Sequence, residues 1–199
     1  MRLVPCVLAL TCCAREPLPN LVVDRARAER SVLTEWVFFS ASDCAVQEGC
    51  VGGAGPRRLL RFDLAIENRG EADVVLGAPT GPSFQQASCH QHAHYLDFAR
   101  FTLRGPTGDA VLAANKMGGC FRDDEQLDGG RAGLVYDCSN QGLTVGYADV
   151  YARDLDCQWL DVTGVDAGTW RLEVEINSDR RIVESWYDDD RFGFDVVLP

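Results

Sequence analysis

The stretch from Leu60 to Glu67 alternates: Leu60, Phe62, Leu64 and Ile66 share one parity, and Arg61, Asp63, Ala65 and Glu67 share the other. A period of two suits a β-strand with one buried face and cannot gather its apolar set on one side of a helix. No segment offers a long stripe at helical spacing, so the core has to come from strands. Pro17 to Asp24 reads as an entering edge segment, Thr34 to Ser40 as a short strand around Trp36, Phe38 and Phe39, and Asp43 to Pro56 as a cysteine- and glycine-rich loop. Asn68 to Glu71 turns the chain and Ala72 to Leu76 returns. Arg104 to Gly108 is a hairpin-type loop before Ala110 to Ala114, and Asn115 to Gly133 dissolves into a long glycine- and acid-rich loop. Leu134 to Cys138 and Leu143 to Val145 are weak strands, and Asp149 to Asp156 has no clean period. Trp159 and the run Trp170, Leu172, Val174 and Ile176 mark two strands around the turn Gly164 to Gly168, and Phe194, Val196 and Leu198 close the chain. The expectation is one all-β domain, a β-sandwich with long disulfide-tied loops and little helix.

At 199 residues and 46% hydrophobic, the chain can bury one full core. A formal charge of -11 argues against nucleic acid or an anionic membrane as partner and favours cations. Met1 to Cys13 reads as a short export leader, with a positive charge at Arg2, an apolar run and small residues. Leu10-Thr11-Cys12-Cys13 also fits a lipoprotein cleavage site, with Cys12 or Cys13 lipidated. Residues 1–16 are thus assigned to the leader and 17–199 to the domain, with no transmembrane span. The expected location is extracellular, periplasmic or the outer membrane as a lipoprotein. Outside the leader stand Cys44, Cys50, Cys89, Cys120, Cys138 and Cys157, an even set that implies disulfides in an exported chain. Six thiols allow 15 pairings, and the residues alone leave the choice open.

Chemistry gathers in three places. All three histidines lie in Ser88-Cys89-His90-Gln91-His92-Ala93-His94, and their alternation projects them from one face of an extended segment. Same-face side chains start about 6.6 Å apart, close enough for three imidazoles to converge on one ion. The second place is Lys116, the sole lysine among 19 basic residues. Arginine cannot shed its proton near neutral pH, whereas a desolvated lysine can, and it then becomes a nucleophile. The third is Asp149 to Trp159, where Tyr151 sits among Asp149, Asp154 and Asp156 ahead of Cys157. A carboxylate there would serve as a general base if burial raised its pKa; the simpler reading is a solvated loop.

The histidine segment resembles the copper-binding motif of the lysyl oxidases, and Asp156-Cys157-Gln158-Trp159-Leu160-Asp161-Val162-Thr163 is similar to their signature downstream of the cofactor tyrosine. Pro19-Asn20-Leu21-Val22-Val23-Asp24, the Cys44 to Cys50 spacing and Gln141-Gly142-Leu143 extend the likeness from Pro19 to Pro199. The resemblance implies a lysyl oxidase-like catalytic domain with His90, His92 and His94 as Cu(2+) ligands. Lys116 and Tyr151 would be the precursors of a lysine tyrosylquinone cofactor and Asp149 the first choice of base, ahead of Asp154 and Asp156. The implied reaction oxidises primary amines or peptidyl lysine to aldehydes with O2, releasing hydrogen peroxide and ammonia. The leader suggests a short bacterial member, for which polyamines or peptidyl lysines are candidate substrates.

Against the family pattern, Phe84-Gln85-Gln86-Ala87 replaces a tryptophan-rich segment and Asn115 replaces a histidine. Two of the family's cysteines are also missing, one of them where Tyr147 stands. If those two bond each other in the family, the resemblance leaves the remaining six to close as Cys44–Cys89, Cys50–Cys157 and Cys120–Cys138, preferred over Cys44–Cys50, Cys89–Cys138 and Cys120–Cys157. Two other readings compete. A copper-binding β-sandwich without oxidase activity would need the histidines but neither Lys116 nor Tyr151, and a zinc hydrolase would leave both unexplained.

Overall fold

The computed structural model describes residues 15–86, 89, 92–116 and 119–199. In order, these form β1 (Leu21–Val23), α1 (Arg25–Arg30), β2 (Leu33–Phe39), α2 (Cys44–Gln47), β3 (Gly55–Arg61), β4 (Leu64–Asn68), β5 (Val74–Gly77), β6 (Phe84–Gln86) and β7 (Ala93–Tyr95). There follow β8 (Ala99–Arg104), β9 (Ala110–Lys116), β10 (Glu125–Gln126), β11 (Gln141–Leu143), β12 (Tyr147–Tyr151), β13 (Trp159–Asp161), β14 (Gly168–Ile176) and β15 (Arg191–Leu198). The leader expected over 1–16 falls outside the described residues except for Arg15 and Glu16. Among the described residues no helix is long and apolar enough to cross a membrane.

Two four-stranded antiparallel sheets, β1-β4-β12-β10 and β15-β14-β8-β9, share one core. The first contributes Leu21, Leu64, Ile66 and Tyr151 and the second Phe101, Leu103, Leu172 and Val174, with the Phe62 and Phe101 rings packed edge to face at 4.8 Å. A three-stranded sheet, β13-β3-β2, covers a smaller cluster of Phe39, Ala45, Val51, Leu59 and Trp159. Among the described residues helix is confined to α1, capped by the Asp24 carboxylate accepting from Arg27 N at 2.9 Å, and to α2 inside the predicted cysteine loop. The fold is all-β.

The alternating stretch at 60–67 is two strands, not one. β3 pairs with β2 and β13, whereas β4 pairs with β1 and β12. At the break, Asp63 N donates to Ser31 Oγ at 2.8 Å, and the Asp63 carboxylate accepts from Arg153 N at 2.8 Å. Neighbouring loops thus satisfy the groups that a continuous ladder would have used. As a central strand, β4 is buried on both faces, so Ala65 and Glu67 join the apolar set inside. The return strand is also re-routed: β5 pairs with β11, not with β4. Asn68 directs that turn, its Nδ2 donating to Ala72 O at 2.9 Å and Leu143 O at 3.0 Å.

Further differences bear on function. Asp149 to Tyr151 belong to β12, an interior strand, so the missing period reflects burial on both faces rather than a loop. The predicted long loop loses Asn115 and Lys116 to β9 and Glu125–Gln126 to β10. Leu134 to Cys138 forms no strand beyond an isolated bridge from Asp137 to Asn140, and Leu134 and Val135 are exposed. The structure joins Cys44 to Cys89, Cys50 to Cys157 and Cys120 to Cys138, with Cα atoms 5.8, 5.3 and 5.1 Å apart.

Candidate metal and cofactor site

β6 and β7 form a two-stranded antiparallel sheet with Gln85 opposite His94. Alternation puts His92 and His94 on one face, with ring centroids 5.0 Å apart and planes at 44°. With metal–nitrogen bonds of about 2 Å and the ring centre about 1 Å beyond, two imidazoles on one ion place their centroids about 5 Å apart. The pair fits a shared metal, and imidazole suits Cu(II). His94 is buried and His92 half-buried; His90 lies outside the described residues. Phe84 packs edge to face on Tyr95 at 5.4 Å, an apolar contact beside the histidine strand. Beyond β7 the chain turns at Asp97, in the left-handed region at φ 55°, before entering β8. Arg181 stacks over the Tyr95 ring at 5.1 Å and donates to Leu96 O, so the β14–β15 connection holds the far end of β7.

Asp149 and Tyr151 are two apart on β12 and face the same way. Asp149 is 1% exposed and Tyr151 5%. Burial is the largest influence on the Tyr151 phenol, followed by the Asp149 charge and the hydrogen bond between the two side chains. Together with Asp124 these hold the phenol well above its ordinary range, against the opposing pull of Arg122. Asp124 is fixed by Val150 N at 3.0 Å and by Arg122 at 2.8 Å. Asp154 and Asp156 are exposed beyond the end of the strand, so of the three carboxylates named from sequence only Asp149 reaches the buried phenol.

Gly119 brings the histidine strand and the phenol together. A Cβ built there would lie 2.6 Å from Tyr151 Cε1, so the glycine backbone rests directly on the ring. Its carbonyl accepts from Tyr95 N at 3.4 Å, joining this point to β7. Lys116 closes β9 opposite Ala99 of β8, three residues before Gly119. A Gly119→Ala variant should shift the Tyr151 ring and lose about 1–3 kcal/mol of stability in urea titration, as overpacked interiors do. Tyrosine near-ultraviolet circular dichroism should change with it; a variant matching wild type in both would show that the ring is not held by this contact.

Neither the role of Gly119 nor that of Gln141 follows from residue type and spacing. Gly119 sits in an unpatterned run, and Gln141 acts through its side chain across long sequence separations. Another group with ligand-type spacing, Glu48 with Cys50 and Cys157, is unsuited to a metal, because the two sulfurs are bonded to each other and offer no thiolate.

The family model for lysyl oxidase matches residues 19–197. The chain belongs to the lysyl oxidase family. It is 35% identical over 186 residues to lysyl oxidase homolog 2 of Xenopus tropicalis, covering 86% of this chain and 24% of that protein. It is 37% identical over 155 residues to lysyl oxidase homolog 3 of Homo sapiens, covering 71% of this chain and 20% of that protein. Homolog 3A of Danio rerio matches at 35% over 180 residues, covering 83% and 24% respectively. The lysyl oxidase domain described here thus spans about a quarter of the length of these relatives. These relatives are vertebrate proteins and lend no support to a bacterial origin.

Proposed function

We propose that this domain is a copper-dependent amine oxidase, similar to protein-lysine 6-oxidases, that converts primary amines or peptidyl lysine to aldehydes. In this reading His90, His92 and His94 hold Cu(2+), and Lys116 and Tyr151 are the precursors of a lysine tyrosylquinone. When present, copper with oxygen supplies the oxidising power that turns the phenol into a carbonyl cofactor able to accept electrons from an amine. Overall, amine, O2 and water give aldehyde, ammonia and hydrogen peroxide.

One observation carries the reading: Gly119 rests on the Tyr151 ring while its carbonyl binds β7, so the segment after Lys116, the phenol and the histidine strand meet. The chain's own residues have clear tasks. Tyr151 is kept from bulk water, which protects a reactive ring from side reactions. Asp149, hydrogen-bonded to the phenol, is the proposed acceptor of its proton and of the substrate proton. Lys116 must be neutral to attack, which a desolvated amine achieves and a guanidinium does not. The formal charge of -11 steers cationic amines towards the domain. Three disulfides support folding in an oxidising compartment and hence export.

Protein produced with copper in air should yield a peptide in which Lys116 and Tyr151 are crosslinked, identified by mass spectrometry. Recovery of both residues unmodified after copper loading would sink the proposal.

A further inference from the structure

Among the described residues β7 has one strand partner, β6. Its other edge presents Ala93 O and Tyr95 N, which point the same way because alternate residues of a strand share a hydrogen-bonding edge. Tyr95 N is met by Gly119 O. Ala93 O is met by a side chain, the Nε2 of Gln141 at 2.9 Å. The Oε1 of the same amide accepts from Phe121 N at 3.0 Å, and Gly142 N donates to Phe121 O at 2.9 Å. Gln141 is 0% exposed.

A single primary amide therefore stands in for a missing strand. It bonds the residue between His92 and His94 on one side and the residue after Cys120 on the other. We propose that Gln141 is a positioning residue for the candidate copper site, fixing the register and tilt of β7 against Phe121 and the chain that follows Gly119. The inference rests on the reading of the histidines as copper ligands. The task calls for a donor and an acceptor at the tip of a side chain of this length. Ionised glutamate has no donor, asparagine is a methylene short, methionine has no donor and leucine offers neither group. Losing the bond would leave a buried carbonyl unpaired and free β7 to shift, a change that copper would feel as a less suitable angle between His92 and His94.

Two measurements on the full 199-residue chain test this. In wild type, titration with zinc, a diamagnetic stand-in, should shift the Gln141 side-chain amide resonances and slow their hydrogen exchange. Gln158, equally buried but bonded to Phe62 O at 3.1 Å, serves as the unaffected control. In the Gln141→Glu variant, Cu(II) affinity by chelator competition near neutral pH should fall about 10- to 100-fold, with an altered copper hyperfine pattern in electron paramagnetic resonance. The ratio of wild-type to variant affinity should narrow as pH is lowered, because a protonated glutamate regains the donor. Equal affinity and an unchanged spectrum at every pH would overturn the proposal, as would zinc shifts at Gln141 no larger than at Gln158. If the variant does not fold, the wild-type titration decides. Wild type that binds neither metal would overturn the copper reading as well, whereas tight wild-type binding with an unperturbed Gln141→Glu variant overturns this inference alone.

Discussion

Lys116→Arg should abolish amine oxidase activity and leave copper bound. The substitution keeps the positive charge and most of the length of the sole lysine in the chain, at the end of β9 opposite Ala99. It removes the capacity to become a neutral nucleophile, since a guanidinium stays protonated at any pH the protein survives. Peroxide production from a panel of primary amines should drop to background, a loss of several orders of magnitude, and quinone staining should vanish. Copper stoichiometry should stay at the wild-type value, because His90, His92 and His94 are untouched. Activity surviving in Lys116→Arg would mean that the chemistry does not pass through this residue, and the family reading of its role would have to be abandoned.

The second large effect concerns the Cys50–Cys157 bridge. It closes a sequence separation of 107 residues and joins the loop after α2 to the position preceding Gln158, six residues beyond Tyr151. Cys157 is held at φ 60°, in the left-handed region that a non-glycine residue enters only when its surroundings require it. Replacing both cysteines by serine should cost about 2–5 kcal/mol in denaturant unfolding. The remaining disulfides shorten the effective loop roughly by half, which changes the expectation by only about 0.6 kcal/mol. The same double variant should raise the hydrogen exchange of β13, whose Trp159 Nε1 donates to Cys50 O at 3.0 Å. A stability loss below about 1 kcal/mol would mean that packing of Trp159 against Phe39 already fixes this end of the chain.

How far the molecule can be read from its residues varies from place to place. Leu60, Phe62, Leu64 and Ile66 announce strands because alternation is a local signal, and all four are fully buried. That the run crosses from one sheet to another is not local. It depends on Ser31 and Arg153, which lie about thirty and ninety residues away and satisfy Asp63. The pattern Tyr147-Ala148-Asp149-Val150-Tyr151 gave no strand signal for the opposite reason: burial on both faces erases the contrast that alternation needs. The candidate site was legible where residue types are rare, as with three histidines in five positions and one lysine in the chain. Gly119 and Gln141 were not, since a glycine under a ring and an amide between two backbones have no composition of their own. Departures from the family pattern are absorbed quietly: Tyr147, at a position where the family carries a cysteine, is buried in the core.

Carrying His94 on a two-stranded sheet, with His92 at its entry, has a consequence for what the pair depends on. Two strands alone are marginal in water, so β6 and β7 draw their persistence from Cys44–Cys89, Gly119, Gln141 and Arg181, each contributed by a different part of the chain. His92 and His94 therefore hold their arrangement only where those contacts are in place. On the copper reading proposed above, metal capture would then select chains whose sulfur pairing and sheet assembly are already correct, and cofactor formation would start only on a finished fold.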